Sequence, residues 1–116
     1  MTATEPAYQE IRKHPRVNKK IKGDYRLILP NESQTRVSIE TETVSGGGLM
    51  FLSSHPIEEG AHLEFRLALG AFRIEFSARV VWSKRHPAPD PLKPLYATGL
   101  QFTVITQEDI ARILGA

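Results

Sequence analysis

The sequence predicts an all-β fold: a six-stranded antiparallel β-barrel with a flexible basic N-terminal arm and a short C-terminal helix. Three observations lead there. Apolar residues recur with a period of two in successive short runs, turn-forming residues separate those runs, and a helical period closes the chain. The 116 residues hold one domain, and a hydrophobic fraction of 41% is enough for one compact core.

A short helix is expected over residues 6–13, capped by Thr4 and opened by Pro6. Pro15 disfavours helix at His14, so residues 12–22 form an extended or looped arm, and the division is arm 1–22 and barrel 23–116. The first strand alternates Tyr25, Leu27 and Leu29 and ends at the Pro30-Asn31 turn. Val37, Ile39 and Thr41 alternate with Ser38, Glu40 and Glu42 in the second, and residues 49–52 after the Gly46-Gly47-Gly48 run make the third. Leu63, Phe65, Leu67 and Leu69 share one face of the fourth. A two-residue Gly70-Ala71 turn leads into the fifth, whose apolar face runs Phe72, Ile74, Phe76, Ala78, Val80, Trp82. Four prolines over residues 85–94 predict a surface loop, and residues 96–104 form the last strand, with Gly99 inside it. Thr106 and Asp109 resemble a capping box for a helix with Ile110, Ile113 and Leu114 on its apolar face.

Composition excludes several chemistries. There is no Cys, hence no disulfide, thiolate metal site or Cys nucleophile. The four His are scattered, three of them directly before Pro, and no carboxylate cluster accompanies them, so no metal is expected. Ser45 lacks the glycine order of a hydrolase elbow, and no catalytic constellation emerges; the expectation is a protein that is not an enzyme. No run approaches the ~18 apolar residues of a membrane span, and the start has no signal pattern, which predicts a cytoplasmic protein without membrane insertion.

Charge is unevenly placed. Residues 1–26 carry seven basic and three acidic side chains, while the remainder is mildly acidic. Such an arm suits an anionic partner. Arg12 and Arg16 flank Pro15, and guanidinium groups both fork onto phosphate and stack on bases. Ser45 with the three following glycines offers N–H groups for an anion-binding concavity, although a tight strand connection explains the same run.

These residues resemble a PilZ domain over about residues 10–114. The R-x-x-x-R arm reads Arg12-Lys13-His14-Pro15-Arg16, and the D/N-x-S-x-x-G motif reads Thr43-Val44-Ser45-Gly46-Gly47-Gly48. Ala78-Arg79-Val80-Val81-Trp82 and Tyr96-Ala97-Thr98-Gly99-Leu100-Gln101-Phe102 match later features. The resemblance implies a barrel that binds cyclic di-GMP, with Arg12 and Arg16 as a clamp and Ser45 and Gly48 contacting a guanine from the barrel surface. Thr43 stands where the family has Asp or Asn, which implies weakened binding. Water, or the neighbouring Glu42 where the strand bulges, is the expected substitute for the Asp or Asn oxygen. Ile11, where an Arg would add a stacking cation, points to one ligand per protomer.

The expected function is a cyclic di-GMP receptor, with no cofactor, that passes the signal to a separate downstream protein as its arm orders. The expected state is a monomer or weak homodimer. Two other functions compete. A PilZ-like adaptor in motility or pilus assembly that has lost the nucleotide is favoured by Thr43. A single-stranded nucleic-acid barrel is disfavoured because Phe65, Phe72, Phe76 and Trp82 read as core, so no nucleic-acid partner is expected.

Overall fold

The computed structural model describes residues 15–28 and 36–115. The elements follow in the order β1 (Val17–Asn18), β2 (Lys22–Leu27), β3 (Val37–Val44), β4 (Gly48–Ser53), β5 (His62–Leu69), β6 (Phe72–His86), β7 (Leu95–Val104) and α1 (Gln107–Gly115). Six strands form a closed antiparallel barrel in the order β3-β2-β5-β6-β7-β4, with β4 returning to β3. The two-residue β1 continues the line of β2 along β3. The helix expected over residues 6–13, Ile11, Arg12 and the Pro30-Asn31 turn lie outside the described residues.

Period-two alternation builds the core. Tyr25, Ile39, Leu63, Phe65, Leu67, Ile74, Phe76, Ala78 and Val80 all point inward and are buried. Phe65 lies at the centre of the aromatic packing, with ring centroids 5.4 to 5.6 Å from Tyr25, Phe51 and Phe76. Each such side chain contributes about 1.5–3 kcal/mol on burial. Gly70 adopts φ 60°, which opens the predicted two-residue hairpin between β5 and β6.

The base of the arm is held in the sheet. Val17 and Asn18 face Val44 and Thr43, and Lys22 faces Glu40. Between them the register is carried by one buried side chain. The Thr41 hydroxyl accepts from the Ile21 N–H at 2.9 Å and donates to the Lys19 carbonyl at 2.6 Å. Lys19 then reaches the far end of the chain. Its Nζ donates to the carbonyls of Ile113 (3.2 Å) and Leu114 (2.6 Å), groups that a helix C-terminus leaves without intrahelical partners. At the other helix end the Thr106 hydroxyl accepts from the Asp109 N–H at 3.0 Å. The Asp109 carboxylate bonds Arg112 at 3.1 Å; Asp is one methylene shorter than the residue that normally completes a capping box. Ile113 is fully buried and joins the barrel core.

Two expectations change. Strand β6 runs through Arg85 and His86, which pair with Tyr96 and Leu95 before the first proline removes a donor; the loop therefore starts at Pro87. Phe72, counted with the inward face, is exposed at the hairpin end, where the core no longer lies beneath it. Among the described residues no helix is long and apolar enough to cross a membrane, and no group of His, Asp or Glu is placed to hold a metal ion.

Candidate functional site

A pocket of about 300 Å³ opens where β1, the β3–β4 turn, β6 and β7 meet. Arg16, Thr43, Ser45 and Gly48 all line it. The sheet explains their convergence: β1 lies against the end of β3, which carries Arg16 to Thr43 just before the glycine turn. A volume of this size sits at the low end for ligand clefts and matches a single heterocyclic base better than a whole dinucleotide.

The glycine run is a tight strand connection. Ser45 N–H donates to the Gly48 carbonyl at 2.8 Å, and the Ser45 hydroxyl accepts from the N–H groups of Gly47 and Gly48, each at 3.2 Å. The hydroxyl is therefore engaged by its own turn. None of the three glycines has positive φ. Gly48 is needed for another reason: a Cβ there would stand 1.8 Å from the Leu100 carbonyl oxygen, so β4 and β7 approach only because that atom is missing.

One wall of the pocket escaped the reading of the sequence. Trp82, taken there as core, is only partly buried and faces the pocket. A register shift between Val80 and Trp82 leaves Val81 as the extra residue, and Trp82 then lies opposite Gly99. A Cβ on Gly99 would meet the indole at 2.4 Å, so the ring lies directly over that glycine. The glycine inside an otherwise regular strand was the available signal.

The bulge that would bring Glu42 into play is present, as the register shifts between Thr41 and Thr43. The Glu42 carboxylate, however, is bound by Lys20 Nζ at 2.7 Å and does not line the pocket. The oxygen that an Asp or Asn would supply is left to the Thr43 hydroxyl.

The barrel is six-stranded and closed, and the arginine that precedes β1 lies beside a serine–glycine turn. The family model described as PilZ domain matches residues 10–116, and the chain belongs to that family. Its structure is similar to the "PilZ domain with c-di-GMP of YcgR from Escherichia coli", at a TM-score of 0.69 and 16% identity over 90% of this chain and 88% of that one. It is also similar to the inhibitor of motility MotI of Bacillus subtilis (TM-score 0.66, 18% identity, 90% of this chain). A third is MrkH in a complex with c-di-GMP from K. pneumonia (TM-score 0.66, 16% identity, 90% of this chain). The chain spans 48% of the length of each of the last two. No curated protein matches it by sequence.

Proposed function

We propose that the chain is a bacterial cyclic di-GMP receptor that works in the cytoplasm and passes the signal to a protein partner. The observation that carries this reading is the convergence of Arg16, Thr43, the Ser45 turn and Trp82 on one pocket. A guanine stacked on the Trp82 indole would fill it, and Arg16, with Arg12 from the arm, would fork onto the phosphates and the exposed base face. In this reading the arm closes over the nucleotide, a local ordering that changes the surface shown to a partner.

Calorimetric titration with cyclic di-GMP, with GTP and cyclic di-AMP as controls, tests the reading. Saturable binding of one ligand per protomer, selective for guanine, is expected. Arg16→Ala should weaken it at least about a hundredfold, the scale of losing two charge-assisted bonds, while the thermal midpoint without ligand stays put. Thr43→Asp should tighten binding. No heat at high micromolar ligand from folded protein would overturn the receptor reading. The adaptor without nucleotide would replace it, a reading favoured by the Thr43 substitution and by a Ser45 hydroxyl already engaged in its turn.

A further inference from the structure

A larger concavity than the nucleotide pocket lies on another part of the described barrel. It is a groove of about 930 Å³ between the base of the arm, the β5–β6 hairpin and the end of α1. No residue lining it lines the other pocket. The groove forms because β2 parts from β5 beyond the Gly23–Leu67 pair, so the hairpin tip projects past the last strand pairing on that side. Ile21 and Leu69 give it an apolar floor, and Phe72 stands at its rim with 57% of its surface exposed.

Its charge is one-sided. Lys19, Lys20, Lys22 and Arg112 line the groove against a single carboxylate, Glu40. Lys20 is paired with Glu42 and Arg112 with Glu108 and Asp109, but Lys22 has no ion-pair partner among the described residues. A helix C-terminus normally contributes negative potential. Here the Lys19 ammonium sits on the carbonyls of Ile113 and Leu114 and offsets it. The Arg112 guanidinium lies 4.8 Å from the Phe72 ring centroid, which places an aromatic residue and an arginine, both enriched at interface cores, in one stack.

We propose that this groove docks an acidic segment of a protein partner that carries bulky apolar side chains. Phe72 and Leu69 receive the apolar groups, and Lys22 receives a carboxylate. The complementary charge argues for this occupant: a basic segment or a second copy of the same cationic groove would meet repulsion. The proposal deepens the partner half of the function given above and rests on it. The two sites share no side chain, so their failures can be told apart.

The test selects a phage-displayed library of 16-residue random peptides against the full chain, with and without cyclic di-GMP. The enriched peptides are then measured by fluorescence polarisation. Enriched sequences should combine Asp or Glu with Phe, Leu or Trp, and bind about tenfold more weakly to Phe72→Ala and to Lys22→Glu. Both variants should keep the wild-type thermal midpoint and the wild-type calorimetric response to cyclic di-GMP. An enriched pool without acidic bias, or none at all, overturns the proposal, as does binding indifferent to both variants. Self-association of the wild type, lost in Phe72→Ala, would assign the groove to a second copy and overturn it equally. Loss of the nucleotide response with peptide binding intact would sink the receptor reading alone.

Discussion

Thr41 shows how much of this fold rests on single polar atoms. Its alternation with Ile39 was legible in the sequence, but a threonine facing inward gives no hint of what it bonds. The structure buries it completely, with its hydroxyl bridging Ile21 N–H and Lys19 carbonyl where the strand line breaks. Thr41→Val keeps the shape and removes both bonds, leaving the buried Ile21 N–H and the part-buried Lys19 carbonyl without this partner. A loss of about 1–3 kcal/mol is expected, and a midpoint roughly 4–8 °C lower per kcal/mol. Amide exchange at Val17 and Asn18 should accelerate as well; a variant with the wild-type midpoint and exchange would show that the bridge is dispensable. Gly48 and Ser45 make the complementary point. Their sequence motif was readable, yet their work in this structure is to let β4 approach β7 and to close a turn. Motif spacing reports that a residue type is required, and only the packing says by what.

At the scale of the strand pair, the outer face of β2 and β5 is a ladder of opposite charges. Asp24 faces Arg66 in the register, and the Arg66 guanidinium forks onto both carboxylate oxygens at 3.0 Å; Arg36 adds a further bond to the same group. One rung along, Arg26 lies 2.6 Å from Glu64. Foremost the Arg66 bond, then Arg36, hold the Asp24 carboxyl below the usual carboxylate range against the opposing effect of partial burial. The sign follows. A carboxyl whose pKa is lower folded than unfolded adds stability above its unfolded pKa of about 4 and loses it as pH falls through the folded value. Asp24→Asn should therefore unfold at a lower temperature than wild type at neutral pH, and the gap should close below about pH 4. A gap that persisted in acid would assign the effect to shape instead of charge. Alternation predicted both strands but not this pairing, because the residues that meet across them are about forty positions apart.

For the whole molecule, the six strands and the terminal helix were legible because period-two alternation and turn residues are local signals. Strand order was not. Hairpin neighbours such as β5 and β6 follow from chain proximity, but the β2–β5 and β4–β7 pairings that close the barrel depend on contacts distant in sequence. The same limit hid the pocket's aromatic wall, since a bulge at Val81 and a glycine on another strand together turn Trp82 to the surface. It also hid the groove, which exists only where β2 and β5 part beyond their last pair.

The Lys19 contact with the end of α1 has a topological consequence. The first strands of the described chain and its last helical turn touch. Cut points on the barrel are thus nearly interchangeable: tying the ends together and opening the chain within residues 87–94 leaves every strand pairing geometrically possible. Such a circular permutant, joined from residue 115 back to residue 15 through a Gly/Ser linker, should unfold cooperatively with the β-rich circular dichroism of the parent. A non-cooperative transition would show that the linear order of the strands, and not only their final neighbours, is needed to assemble the ring.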